Sequence, residues 1–336
     1  MSERKERLFW PDFIRAIACI CILIIHFNAE VSHGFLLENK ILVNNFLDMY
    51  LGTIGVNLFF MISGAMLFYG RMGKEQESIF QFWRRRFIAI YPMYWIAFGF
   101  AILISFWVFR QMPKDGIWWM INSILGFDGY FYVLGITPFA FYQLGEWFLG
   151  CIICLYIMAP LLLIAIDKYG LWKVSGVSIL IWGGVLSKLP DQLFVMYIPH
   201  MLIGMIIIKY KDKIGLKTGI SASILVVLLY LMPYKRADGM IYSLIQCSCL
   251  FIILKYLAQC VKGRHMQFVF SWIAKYSYAI FLVHHKLIVL LVLRFDLPNF
   301  GKRDVFMLFT MYCIMTAVIS VYLYKANKKV MQMLKF

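Results

Sequence analysis

Long apolar runs separated by short polar segments are the main feature of this chain of 336 residues. An α-helix needs about 20 apolar residues to cross the hydrocarbon core of a bilayer. The pattern therefore predicts an all-α, polytopic membrane bundle of about ten transmembrane helices, formed by residues 1–336 as a single integral-membrane domain. The predicted spans are residues 11–32, 46–69, 87–109, 141–166, 171–187, 193–209, 218–234, 239–257, 274–293 and 305–324.

Positive charges lie in the short segments at the ends of these spans. With ten spans, all five clusters fall on the same side of the membrane. The positive-inside rule makes that side the cytoplasm, and both termini lie there too. No small-residue cleavage site follows the first cluster, so the first helix is expected to be retained. The clusters are Arg4, Lys5 and Arg7; Arg71, Lys74, Arg84, Arg85 and Arg86; Lys209, Lys211, Lys213 and Lys217; Lys255, Lys262 and Arg264; and Lys325, Lys328, Lys329 and Lys335.

Composition excludes a soluble protein. Hydrophobic residues make up 62% of the chain and charged residues 15%, which fits no soluble domain of this length. A net charge of +16 would suggest nucleic acid for a soluble chain, but here the charge follows membrane topology, so we expect the lipid bilayer as partner and no nucleic acid. Most of the eight cysteines lie inside apolar runs without histidine-rich or loop-borne ligands, so no metal site is predicted.

Arg15 and His26 are ionisable residues inside the first apolar run. They are eleven positions apart, so on an α-helix they share one face at a separation of about 16 Å. Ionisable groups on a spanning helix usually face the bundle interior or an aqueous cavity and take part in function. The alternative is that Arg15 extends to the membrane surface and that a neighbouring helix satisfies His26.

Two further segments favour either packing or binding. Small residues between Gly55 and Gly64 in the second span let a neighbouring helix approach closely. Arg84, Arg85 and Arg86 meet the inner membrane face, where they suit either anionic lipid head groups or the phosphates of a bound ligand.

The predicted external loop, residues 110–143, is rich in aromatic residues. It predicts either an interfacial aromatic belt or a lid that stacks on sugars. The aromatic residues are Trp118, Trp119, Tyr130, Phe131, Tyr132 and Phe139.

Taken together, these segments resemble the acyltransferase-3 family of integral-membrane acyltransferases, which includes O-acetyltransferases and succinyltransferases of bacterial surface glycans. The matching residues occur in the family's order across nearly the whole chain, and their joint order makes the resemblance specific. They are Arg15 and His26; Gly55, Phe59, Phe60, Ser63 and Gly64; Arg86, Tyr91 and Pro92; Trp147, Tyr156 and Pro160; and Ser277, Tyr278 and His284.

The chain departs from the family's pattern at two places. Ala89 stands where family members commonly have an arginine, so Arg86 or its neighbours must supply that role. Ile152 and Ile153 stand where many larger members have acidic residues. The chain therefore looks more like the compact branch that contains enzymes modifying enterobacterial common antigen and intercellular adhesin.

The resemblance implies a multi-pass protein of the bacterial cytoplasmic membrane. Such a protein moves an acetyl or other short acyl group from cytoplasmic acyl-CoA to a hydroxyl of an extracytoplasmic or lipid-linked glycan. The expected donor is acetyl-CoA, with no metal cofactor. Self-association into a homo-oligomer stays open.

The resemblance also implies roles for particular residues. His26 is the candidate base, because imidazole titrates near neutral pH, and it either acts only as a base or briefly bears the acyl group. Arg15 either holds a CoA phosphate or polarises the acyl carbonyl. The further candidates are Arg84, Arg85 and Arg86 for the CoA phosphates, and Glu146, Trp147, Tyr278 and His284 for the acceptor.

The alternative function is an exporter or flippase of polysaccharide intermediates. Such a protein also needs buried polar groups and a cavity near the middle of the membrane. Many transporters are built from inverted repeats, and no internal repeat is evident in this sequence, which favours the acyltransferase.

The predicted topology can be tested without reference to any family. Single-cysteine labelling in intact and permeabilised cells should place residues 70–86, 210–217 and 258–268 inside, because these segments are basic, and residues 110–140 outside. An outside location for residues 210–217 would contradict the ten-span topology.

Overall fold

The computed structural model describes most of the chain. The described residues are 8–32, 41, 43–73, 77–109, 117–138, 144, 146–184, 189–231, 240–295 and 297–334, without the side chains of residues 108, 109, 117–119, 146, 240 and 298. Five basic residues of the predicted clusters lie outside this part of the chain: Arg4, Lys5, Arg7, Lys74 and Lys335.

Helices make up nearly all of the described chain. They are α1 (Phe9–Ser32), α2 (Leu51–Arg71), α3 (Ile79–Ile104), α4 (Ile117–Ile124), α5 (Asp128–Val133), α6 (Glu146–Tyr169), α7 (Leu171–Gly184), α8 (Ile198–Lys209), α9 (Leu216–Leu231), α10 (Met240–Cys260), α11 (Arg264–Val292) and α12 (Lys302–Met333). A π-helical segment, Ser105–Phe109, continues α3. Two strands of two residues, β1 (Asn45–Phe46) and β2 (Met49–Tyr50), form an antiparallel hairpin before α2.

Each of the ten predicted spans overlaps one of these helices. Within the described residues, seven helices are long and apolar enough to cross a membrane: α1, α2, α3, α6, α10, α11 and α12. The three helices α7, α8 and α9 are shorter, with 14, 12 and 16 residues. The all-α membrane bundle is therefore confirmed, whereas the count of ten crossings and the position of the termini stay predictions.

The chain divides into two compact units. The first unit comprises Met1–Ile22, Asn44–Gly73 and Pro199–Ser277, and the second comprises Leu23–Val43, Lys74–Ile198 and Tyr278–Phe336. The boundary therefore falls within α1 and within α11. In the first unit α10 packs against α9 and α2, and in the second α3 packs against α6 and α12, while α6 also packs against α5 and α7.

Small residues bring α2 and α8 into backbone contact in the first unit. A Cβ atom at Gly64 would overlap the backbone of Met201, and a Cβ at Gly204 would overlap the carbonyl oxygen of Met61. Helices without a side chain at the crossing can approach this closely. The close approach predicted for the segment from Gly55 to Gly64 is thereby confirmed.

In the second unit, aromatic donors on α3 satisfy the carbonyl groups at the end of α4. The last carbonyls of a helix lack the intrahelical partner that earlier ones have, so other donors satisfy them, and the carbonyl of Ser123 also accepts the N–H of Gly126 at 3.1 Å. The three pairs are the Tyr91 hydroxyl with Leu125 at 3.0 Å, the Tyr94 hydroxyl with Ser123, and the Trp95 indole with Ile124 at 2.9 Å. The end of α4 therefore lies against the middle of α3.

The aromatic residues of the predicted external loop differ in their surroundings. Tyr130 is 3% exposed, and its hydroxyl accepts the backbone N–H of Phe194 at 2.9 Å. Burial raises the pKa of the Tyr130 hydroxyl, so it stays protonated. Neither an aromatic belt nor a lid describes Tyr130, because it packs inside the second unit. Tyr132 is exposed. Phe139 and the side chains of Trp118 and Trp119 lie outside the described part of the chain.

The close approach of α2 and α8 leads to a stability prediction. Gly64→Ala should lower the stability of the protein by about 1–3 kcal/mol, because the added methyl group meets backbone that cannot rotate away. Gly70→Ala on the same helix is the matched control. It should be neutral or slightly stabilising, because its Cβ would meet nothing within 4 Å and alanine favours a helix. Thermal unfolding of both variants in detergent is the measurement, and equal unfolding temperatures would contradict the prediction.

Candidate active site

The second half of α1 is fixed in the second unit by residues on either side of His26. Phe27 is fully buried and packs on α12. Its ring centroid lies 5.0 Å from that of Phe309 and 5.8 Å from that of Tyr312. Asn28 is also buried, and its side chain exchanges two hydrogen bonds with the backbone of Ile41, of 2.9 and 3.0 Å. These contacts fix the rotation of α1 and so direct His26 towards α11.

Three histidines meet where α1 contacts α11. The ring centroid of His26 lies 4.9 Å from that of His284 and 5.1 Å from that of His285. At these separations a nitrogen of one imidazole can lie within hydrogen-bond distance of the next, directly or through one water. We call His26, His284 and His285 the imidazole cluster.

The backbone of α11 fixes the tautomer of His284. Its Nδ1 lies 2.8 Å from the carbonyl oxygen of Phe281 and 3.1 Å from that of Ile280. A carbonyl only accepts hydrogen bonds, so Nδ1 bears the proton of the neutral ring and the lone pair is on Nε2. The hydroxyl of Tyr278, earlier on α11, donates to the carbonyl oxygen of Ile90 at 3.0 Å.

A carboxylate belongs to the same group. Oε1 of Glu30 lies 3.0 Å from Nε2 of His285, and both side chains are partly buried, with exposed fractions of 28% and 24%. No role was predicted for Glu30 from the sequence. Its spacing could have indicated one, because Glu30 follows His26 by four residues and is therefore on the same face of α1.

A second polar contact ties α11 to α3. Lys286 donates from Nζ to the hydroxyl of Ser105 at 2.9 Å, at the start of the π-helical segment. Ser105 is buried and Lys286 is partly buried. No role was predicted for either residue, because the local sequence pattern of α3 and α11 does not predict a contact between residues 181 positions apart.

Comparison with known proteins identifies the family of the chain. The family model described as an acyltransferase domain, that of the acyltransferase-3 family, matches residues 8–325. The chain belongs to this family. Acyltransferase MdmB of Streptomyces mycarofaciens is 30% identical over 113 residues, which are 33% of this chain and 28% of that protein. The match thus spans less than a third of that relative, and no solved structure matches the chain.

Among the described residues of this acyltransferase, no group of three or more histidine, cysteine, aspartate or glutamate side chains is arranged to hold a metal ion. Three imidazoles and a carboxylate lie near one another, yet they do not form such a set. What they can do chemically is accept, hold and release protons.

Arg15 lies in the part of α1 that belongs to the first unit of the acyltransferase. Its guanidinium is 3.5 Å from the carboxylate of Asp12, one turn earlier, and its side chain is 28% exposed. Nearby, Trp10 packs on Phe251 and Phe13 on Phe270, with ring centroids 5.8 and 4.6 Å apart. Arg15 is thus partly accessible on a helix whose neighbouring residues are firmly packed.

The three arginines at the start of α3 have different surroundings. Arg84 and Arg85 are exposed, and Arg85 pairs with Glu77. Arg86 is partly buried, with its guanidinium 4.8 Å from the ring centroid of Tyr156 on α6. The cation–π contact ties α3 to α6 and fixes the position of the Arg86 guanidinium.

The candidate acceptor residues lie on α6 and α11. Trp147 stacks on Tyr197 with ring centroids 5.8 Å apart, whereas the side chain of Glu146 lies outside the described part of the chain. Phe148 contacts Phe281 of α11 at 5.4 Å. Phe281 in turn lies against His284, with ring centroids 6.0 Å apart, so the first turn of α6 adjoins the imidazole cluster.

Proposed function

We propose that this acyltransferase moves an acetyl or other short acyl group from cytoplasmic acyl-CoA to a hydroxyl of an extracytoplasmic or lipid-linked glycan. The imidazole cluster is the observation that supports the proposal most. Its three rings and the carboxylate of Glu30 lie on helices apolar enough to span the membrane, where ionisable groups are costly and mark function.

The reaction needs a base, and His26 is our candidate. In the proposed step, His26 takes the proton from the acceptor hydroxyl as its oxygen bonds to the thioester carbon. The carbon–sulfur bond then breaks, the electron pair leaves with sulfur, and the proton on the imidazolium returns to form free CoA. A positioned base of this kind contributes roughly 10²- to 10⁴-fold in rate. In a variant of this scheme, His26 itself bears the acyl group for a time.

His284 is assigned to orientation or acceptor contact. Its Nδ1 is held by backbone carbonyls of α11, so the ring has one fixed direction and offers Nε2 as an acceptor for a hydroxyl. Trp147 and Glu146 are further candidates for the glycan, because aromatic faces suit sugar rings and carboxylates accept from hydroxyls.

The donor is assigned to the arginines. A planar guanidinium matches phosphate oxygens with two parallel hydrogen bonds, and acyl-CoA has several phosphates. Arg15 is partly exposed on α1, and Arg86 is held in one place by Tyr156. Arg84 and Arg85 are exposed at the same end of α3, where they can bind phosphates or anionic lipid heads.

An assay with labelled acetyl-CoA separates the proposal from an exporter or flippase. Purified protein incubated with labelled donor and a glycan-lipid extract should move label to glycan and release one free CoA for each acyl group. An exporter would move its substrate without consuming the thioester. Repeating the assay with succinyl-CoA and longer acyl-CoA donors would identify the acyl group.

Variants of His26 and His284 are predicted to differ in transfer activity. His26→Ala should abolish transfer at every pH tested, because the base is lost, whereas His284→Gln should keep measurable activity, because glutamine keeps a hydrogen-bonding side chain. Transfer rate and thermal stability are measured on the same purified samples. Normal turnover by His26→Ala would refute the mechanism, and loss of activity in His284→Gln alone would move the catalytic role to α11.

Arg15 is predicted to recognise the donor by the shape of its guanidinium. Arg15→Lys keeps the charge but loses the planar fork, so it should raise the KM for acyl-CoA about tenfold or more. The matched control is Arg264→Lys at the exposed start of α11, which should change the KM less than twofold by the same reasoning. Small and equal effects at both positions would mean that Arg15 only anchors the helix at the membrane surface.

A further inference from the structure

Glu30 is a charged side chain beside the imidazole cluster, and the proposed reaction assigns it no role. It lies one helical turn beyond His26 on α1 and contacts Nε2 of His285 at 3.0 Å. His285 in turn lies against His26, with ring centroids 5.1 Å apart. The series therefore runs in space from the carboxylate of Glu30 through the imidazole of His285 to the candidate base, His26.

The contact with Glu30 determines which nitrogen of the His285 ring bears the proton. A carboxylate can only accept a hydrogen bond, so Nε2 of His285 must bear a proton. The lone pair of the neutral ring is then on Nδ1. His284 has the opposite arrangement, because its Nδ1 faces backbone carbonyls and its lone pair is on Nε2. The two neighbouring histidines of α11 are thus held in different tautomers, one by backbone and one by Glu30.

The charge on Glu30 matters when His26 takes a proton. An imidazolium among apolar side chains is costly unless an opposite charge lies nearby. Phe27, directly after His26, is fully buried, as is Ile288 on α11, so apolar side chains adjoin the cluster, while His285 and Glu30 keep exposed fractions of 24% and 28%. Glu30 supplies the opposite charge within the cluster.

We propose that Glu30 is a positioning residue of the active site, which acts through His285 to orient His26 and to balance the positive charge that forms when His26 accepts the acceptor's proton. This inference rests on the proposed function. In the same step the proton leaves the acceptor oxygen for His26, is shared with His285, and returns to the sulfur of the departing CoA. Glu30 itself stays ionised and forms no bond to substrate.

Glu30→Gln tests the proposal, because glutamine keeps the size and an acceptor oxygen but removes the charge. It should lower kcat roughly tenfold to hundredfold, somewhat less than removal of the base itself, while the KM for acyl-CoA changes less than twofold. The unfolding temperature should stay within about 2 °C of wild type. The matched control is Asp167→Asn, at an exposed carboxylate near the end of α6, which should leave kcat unchanged.

A double-mutant cycle tests whether Glu30 acts through His285. If it does, Glu30→Gln combined with His285→Gln should be no slower than His285→Gln alone, because the two residues act as one unit. Glu30→Asp should recover part of the rate by restoring the charge on a shorter side chain. Losses that multiply in the double variant, or a fall in kcat that only follows a fall in unfolding temperature, would overturn the proposal.

The wild-type protein distinguishes this inference from the function on which it depends. If wild type moves no acyl group from any acyl-CoA donor, the proposed function fails. If wild type is active, His26→Ala is inactive and Glu30→Gln turns over normally, the function stands and only the role of Glu30 is wrong.

Discussion

The contact between the second half of α1 and α11 places three imidazoles and a carboxylate among apolar side chains. Each of these groups would be costly in hydrocarbon without a partner. The structure meets that cost with specific contacts: backbone carbonyls hold His284, and Glu30 holds His285. The packing of Phe27 on α12 then sets the rotation of α1 that brings His26 to them.

A similar need for partners explains the aromatic residues of α3. The short helix α4 ends within the second unit, and its last carbonyl groups need donors from outside their own helix. Two tyrosine hydroxyls and one tryptophan indole of α3 provide them. Aromatic side chains suit this task, because they combine a large apolar body with one polar atom. Helices too short to span the membrane can thus pack beside those that are long enough.

Much of the fold could be predicted from local pattern, because the length of an apolar run decides whether it can cross a bilayer. Each predicted span overlaps a helix, and the first apolar run correctly placed Arg15 and His26 on one helix, α1. Contacts between distant segments could not be predicted in this way. Glu30 and His285 are 255 positions apart, and Lys286 and Ser105 are 181 apart, so their pairing depends on how the helices dock. Tyr130 reads as a surface residue for the same reason: its local sequence does not show that the second unit encloses it.

We propose that acyl groups from a cytoplasmic donor reach an acceptor on the opposite face of the membrane through the imidazole cluster. The most direct measurement uses the protein in sealed proteoliposomes of known orientation, with labelled acetyl-CoA on one side and the glycan acceptor on the other. Labelled acceptor is expected when the donor is on the side of the basic segments, with unlabelled CoA left behind on that side. Transfer only when donor and acceptor share one face, or movement of acceptor without loss of thioester, would contradict it.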